Sequence, residues 1–80
     1  MKVEILITLK TEVLDPQGDA VRRALHAQGF TEVQSLRVGK RIALDLETQN
    51  VEEARTRAEA MCKALLANPV METFEIRVLS

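Results

Sequence analysis

The sequence predicts an α+β domain, a four-stranded antiparallel sheet with two helices on one face, and three observations lead there. Apolar residues alternate with polar ones in four segments, the period-two signature of half-buried strands. Two further stretches carry apolar residues at helical spacing. Each of these opens on a capping residue and closes near glycine or proline. The order is β-α-β-β-α-β, which lets both helices cover the same side of the sheet in the ferredoxin-like arrangement. Eighty residues make one domain, spanning 1–80.

In the first strand Val3, Ile5, Ile7 and Leu9 alternate with Lys2, Glu4, Thr8 and Lys10, and only Leu6 interrupts the polar side. Asp15 then caps a helix over about Pro16 to Gln28, because its carboxylate can accept an unpaired N–H of the first turn. Pro16 fits the first helical position, where no N–H is needed. Val21, Ala24 and Leu25 recur at helical spacing, and Gly29 supplies a left-handed stop. Val33–Val38 and Ile42–Leu46 read as two strands joined at Gly39-Lys40. A two-residue turn would set their apolar rows on opposite faces, so a three-residue connection or bulge is expected, pairing Val38 with Ile42 and Leu36 with Leu44. Asn50 opens the second helix with Glu53 as capping-box partner. Its apolar stripe is Val51, Ala54, Ala58, Met61, Cys62 and Leu65, with Glu53–Arg57 and Glu59–Lys63 as outward pairs. Asn68-Pro69 ends that helix, and Phe74, Ile76 and Val78 form the last strand.

The face away from the helices would carry Leu6, Val33, Ala43 and Leu79 among charged residues. It can be solvated, or it can be an interface with apolar residues at its centre and charges at its rim. A chain of this size has little core to spare, so association with copies of itself or with another protein is the default expectation.

Composition removes several function classes. Lys+Arg is 11 and Asp+Glu is 12, a net charge of −1, which discounts nucleic acid and anionic membranes as partners. The aromatics are Phe30 and Phe74, too few for a base-stacking platform. One cysteine, Cys62, and one histidine, His26, make neither an internal disulfide nor a Cys/His zinc site, and they suggest a reducing, cytoplasmic setting. No apolar run approaches the ~18 residues of a membrane span, and Met1-Lys2-Val3-Glu4 does not read as a secretory leader. Gly18, Gly29 and Gly39 are too dispersed for a phosphate loop. Cys62 falls on an apolar stripe and reads as core, and His26 suits the last turn of a helix. No catalytic, cofactor or metal site emerges, and catalysis by the chain in isolation is not expected.

Three segments are more specific than the fold requires. In Leu14-Asp15-Pro16-Gln17-Gly18, capping explains Asp15 and Pro16. Gly18 is unexplained, since glycine in a first helical turn costs up to ~1 kcal/mol relative to alanine. A close approach by backbone or by a partner would account for it. Arg37-Val38-Gly39-Lys40-Arg41 gathers three cations around one glycine: either solvated charge that blunts aggregation, or a docking tip for an acidic surface or phosphate. Leu65-Leu66-Ala67-Asn68-Pro69-Val70 is covered largely by a helix stop followed by a turn.

Taken in order, Leu14-Asp15-Pro16-Gln17-Gly18 with Ala20-Val21 and Ala24-Leu25, Arg37-Val38-Gly39-Lys40, and Cys62 with Leu65-Leu66-Ala67-Asn68-Pro69-Val70-Met71-Glu72 resemble the PurS family. These are the small subunits of phosphoribosylformylglycinamidine synthase. The likeness runs from the first strand to the last, with modest departures at Met71 and Phe74. It implies a non-catalytic subunit of an ATP-dependent purine-biosynthetic ligase, in which a glutaminase subunit releases ammonia and a large synthetase subunit consumes it. The small subunit bridges the two and assists ammonia transfer. ATP and magnesium are used by the synthetase partner, and no cofactor is implied for this chain. The resemblance also implies a homodimer or higher homo-oligomer. Carried onto this sequence, it marks Asp15, Gln17, Gly18, Arg37, Gly39 and Lys40 as partner-contact residues, with Asn68 as a further one. Two rivals share the element order: an ACT-like homo-oligomeric domain that binds small molecules, and an RNA-recognition module. The second needs exposed aromatics on the central strands, where Leu6, Thr8, Ala43 and Leu44 supply none.

Overall fold

The alternating first segment becomes the centre of a sheet. In the computed structural model, which describes residues 1–79, β1 (Lys2–Leu9) lies between β2 (Lys40–Asp45) and β3 (Glu72–Val78), antiparallel to both. Ile5 stands opposite Ile42 and Ile76, and Val3 opposite Leu44 and Val78. Ile7 faces Phe74. One face of the sheet is therefore crossed by rows of apolar side chains, as the period-two pattern requires.

Helix α2 (Val51–Met61) lies across β1 and β3 on that face. Its contact residues are small: Ala54, Ala58 and Cys62 are fully buried against Val3, Ile5 and Ile7. Small side chains let the helix backbone come close to the strands. The helix starts as expected, with Asn50 Oδ1 accepting the Glu53 N–H at 3.0 Å. The Asn50 N–H is bound by Thr48 Oγ1 at 3.2 Å, a role the capping box would have given to Glu53. Of the two outward pairs, Lys63 and Glu59 meet at 3.0 Å.

The end of this helix departs from a simple α pattern. Cys62–Leu66 forms a π-helical turn, closed by the Ala67 N–H donating to the Cys62 carbonyl at 3.0 Å. One extra residue in the turn rotates everything after it. Leu65, expected on the apolar stripe, is 84% exposed, and Leu66 and Ala67 pack on the core in its place.

The larger departure concerns the first half of the chain. The sheet has three strands, so the four-stranded, ferredoxin-like architecture with both helices on one face is corrected. Residues 33–38 form no strand, and the expected Val38–Ile42 and Leu36–Leu44 pairs are absent. A tight reversal at Gly39-Lys40 needs a positive φ. Among the described residues only Gly29 has one, at 102°, where it ends α1 as anticipated. Gly39 instead lies flat against β1, and a Cβ there would sit 2.7 Å from the Ile7 carbonyl oxygen. The Val38 N–H donates to Asp15 Oδ2 at 2.8 Å, which ties this segment to the start of the first helix.

Helix α1 (Pro16–Ala27) adds no cover to the apolar face of the sheet, and Gly18 is its one buried residue. The helix and the extended segment after it form an arm. His26 Nε2 lies 2.6 Å from the Val33 carbonyl oxygen and ties the two limbs of the arm together. The radius of gyration is 15.8 Å and the extents are 48 × 26 × 14 Å. A compact domain of this length would have a radius of about 12 Å.

The π-helical turn yields a paired test. Leu65→Ala should leave stability within about 0.5 kcal/mol of wild type, as for other exposed positions. Leu66→Ala should cost roughly 1–3 kcal/mol by opening space beside the core. Denaturant unfolding of both variants checks the assignment, and the reverse ranking would contradict it.

Candidate functional site

The features singled out in the sequence meet at one end of the sheet. β1 ends at Leu9, the chain loops through Val13, and Asp15 begins α1. Asp15 Oδ1 accepts the Gly18 N–H at 2.9 Å, which is the expected cap. Its other oxygen accepts Val38, so one carboxylate joins the start of α1 to the segment that returns from its end. The Arg37 guanidinium reinforces the junction: its Nη2 donates to the carbonyls of Lys10 and Val13, at 2.9 and 2.8 Å. A side chain that looked like a free surface cation is thus engaged with the loop before the helix.

Gly18 is explained by the same junction. A Cβ at this position would lie 2.7 Å from the Leu36 carbonyl oxygen and 2.5 Å from Asp15 Oδ2. The helix start and residues 36–38 approach closely enough that only glycine fits. The close approach anticipated from the sequence is made by the chain's own backbone.

Below the junction lies a cleft of about 260 Å³, bordered by Ile7, Leu9, Gln17, Val38, Lys40 and Glu72. Glu72 carries the arrangement across to the last strand. Its Oε1 accepts the Asn68 N–H at 2.7 Å, and its Oε2 is 4.0 Å from Lys40 Nζ. Asn68 Oδ1 in turn accepts the Val70 N–H at 3.0 Å and shapes the turn into β3. All seven residues marked in the sequence therefore share one end of the molecule, although they come from three separate segments. Asp15, Gly18, Arg37 and Gly39 are occupied within the chain, whereas Gln17, Lys40 and Asn68 have exposed side chains. Glu72, which connects Lys40 to Asn68, was not anticipated as a site residue. Its sequence signal was an acid immediately after a proline turn and before an apolar strand.

A broader groove of about 430 Å³ lies on the outer side of the junction, between α1 and residues 34–37. Leu14 at its border is 88% exposed, and Val70 on the same end of the molecule is 77% exposed. Cys62 is distant in character: burial pushes its thiol up from the ordinary value and Glu59 adds to the effect, so it packs as a small apolar group.

The two backbone donors acting on Asp15, Gly18 first and Val38 second, hold its carboxyl below the usual aspartate value, with Arg37 contributing in the same direction. A depressed folded-state value means that the carboxylate's stabilisation is fully present above the ordinary aspartate value of 3.8 and is lost as the pH falls through the lower folded one. The amide proton shifts of Gly18 and Val38 should therefore titrate together, with a midpoint below 3.8. Separate midpoints, or a shared one above that value, would contradict the geometry.

Comparison with known proteins places this arrangement. The family model described as "PurS: Phosphoribosylformylglycinamidine (FGAM) synthase" matches residues 2–80. The phosphoribosylformylglycinamidine synthase subunit PurS of Methanocaldococcus jannaschii is 42% identical over 77 residues, covering 96% of this chain and 93% of that protein. A crystal structure of Bacillus subtilis PurS superposes with a TM-score of 0.86 at 40% identity, covering 99% of this chain and 98% of the other. A chain in the structure of PurLQS from Thermotoga maritima superposes with a TM-score of 0.89 at 37% identity, covering 98% and 95%. Overlap of that extent takes in the arm as well as the sheet. From the first strand to the last, this chain belongs to the PurS family of phosphoribosylformylglycinamidine synthase subunits.

Proposed function

We propose that this chain is the small, non-catalytic bridge of a phosphoribosylformylglycinamidine synthase, holding a glutaminase subunit and a large ATP- and magnesium-using synthetase subunit together in the cytoplasm. The observation that carries the reading is the near-complete overlap with a chain of PurLQS, arm included. The chemistry explains why such a bridge is useful. Ammonia released into neutral water is protonated to ammonium, which has no lone pair for attack. A path enclosed between two enzymes keeps ammonia neutral and at high local concentration. A bridging subunit contributes by fixing the geometry of its partners.

The contact surface proposed for those partners is the end of the sheet described above. Gln17, Lys40 and Asn68 present exposed polar groups there, beside the apolar side chains of Leu14 and Val70. In the reconstituted assembly, omitting this chain should abolish glutamine-dependent product formation while turnover on added ammonium salt persists. Equal glutamine-dependent rates with and without the chain would refute the reading. Lys40→Glu should weaken glutamine-dependent turnover several-fold and leave the fold intact, which circular dichroism and a turnover assay would check together.

The chain is also proposed to associate with a second copy of itself. Ile42 and Leu44 of β2 are half-buried, and α2 lies over β1 and β3 rather than over them. α1, which would cover them in a closed single-chain fold, points away and leaves Val21 and Phe30 39% and 48% exposed. One copy thus has an uncovered apolar sheet half and an unused apolar arm, and a second copy complements both. The two sheet edges differ as well. Arg55 Nη1 donates to the Ile76 carbonyl on the outer edge of β3 at 3.2 Å, and among the described residues no side chain binds the backbone of the β2 edge. Light scattering should give a mass at least twice the 9.0 kDa of one chain, and a monomer at micromolar concentration would contradict the proposal.

A further inference from the structure

We infer that Asp15 is a positioning residue, whose carboxylate braces residues 36–38 against the start of α1 and so fixes the direction of the arm. Both of its oxygens are spent on the chain's own backbone, at Gly18 and Val38. Three further observations converge on the same brace. Arg37, next to Val38, grips the carbonyls of Lys10 and Val13 and so fastens the returning segment to the loop that precedes Asp15. Gly18 allows Leu36 to approach where a Cβ would collide with its carbonyl oxygen at 2.7 Å. Gly39 allows the segment to enter β2 flat against Ile7.

The brace matters because little else fixes the arm. α1 buries only Gly18, and the remaining core residues belong to the sheet, α2 and the turn after it. An arm held at one end by a few polar contacts keeps its angle only while those contacts persist. Residues that resemble partner contacts in the sequence then influence assembly without touching a partner. This assembly consequence rests on the bridging role proposed above, while the brace itself does not.

Asp15→Asn separates bracing from helix capping. Asparagine caps a helix as well as aspartate does, but its single carbonyl oxygen cannot serve both Gly18 and Val38 in the same way. In this variant hydrogen exchange at the α1 interior amides should stay within about two-fold of wild type, while Val38 exchanges at least ~10-fold faster. The sheet amides of Val3, Ile5 and Ile7 should not change. Gly18→Ala attacks the brace from the other side and should likewise accelerate Val38. In the reconstituted assembly Asp15→Asn should lower glutamine-dependent turnover several-fold and leave ammonium-dependent turnover at the wild-type rate. Val38 protection equal to wild type in both variants would overturn the brace. Fast Val38 exchange with undiminished glutamine-dependent turnover would overturn its role in assembly. A wild-type chain that fails to support glutamine-dependent turnover would instead overturn the bridging reading and with it the assembly consequence, and Val38 exchange would still decide the brace.

Discussion

Asp15 accepts N–H groups from positions three and twenty-three residues further along the chain, and that pair of bonds ties the two ends of the arm together. Val38 lies against the helix start, and residues 33–38 form no strand on the free edge of β2. The sheet stops at three strands, and α1 stands clear of the apolar face that a closed single-chain fold would have it cover. A charged acceptor with two backbone donors makes stronger bonds than a neutral one, which suits a junction that must hold in water.

The result is a chain with two unequal parts. The sheet and α2 share a core built from Val3, Ile5 and Ile7 against alanine and cysteine, and it is small. The arm has almost no core. A lone 80-residue chain divided in this way leaves apolar surface in water on both parts, a state that association relieves. Stability and purpose point the same way: the surfaces that need covering are those available for assembly. The elements around Asp15 at the end of the sheet contribute hydrogen bonds and shape, while the one cysteine lies buried in the core.

Much of this was legible in the sequence, wherever the signal is local. Alternation located β1 and β3, and Asp15, Asn50 and Gly29 fixed helix boundaries through capping and a left-handed stop. Gly18 could be flagged as unexplained by its own helix, and the structure supplies the approaching backbone. What the sequence could not convey was non-local. Val33–Val38 has the composition of a strand, and nothing within it reveals that Asp15 will claim the Val38 N–H. The π-helical turn was equally hidden, because Leu65 and Leu66 are chemically identical and only the rotation of the turn decides which one faces the core. Arg37 read as a surface cation because its acceptors are backbone carbonyls, which sequence does not distinguish. Glu72 was not marked as a site residue because its two partners lie on different segments.

We propose that this chain acts through geometry, by keeping ammonia on a protected route between two enzymes. The most direct measurement supplies the assembly with nitrogen-15 amide-labelled glutamine in an excess of unlabelled ammonium and reads the isotope in the amidine product. With this chain present, the product nitrogen should come predominantly from glutamine. Without it, whatever product forms should carry the isotope ratio of the bulk ammonium. An isotope ratio that is the same in both cases would contradict the claim.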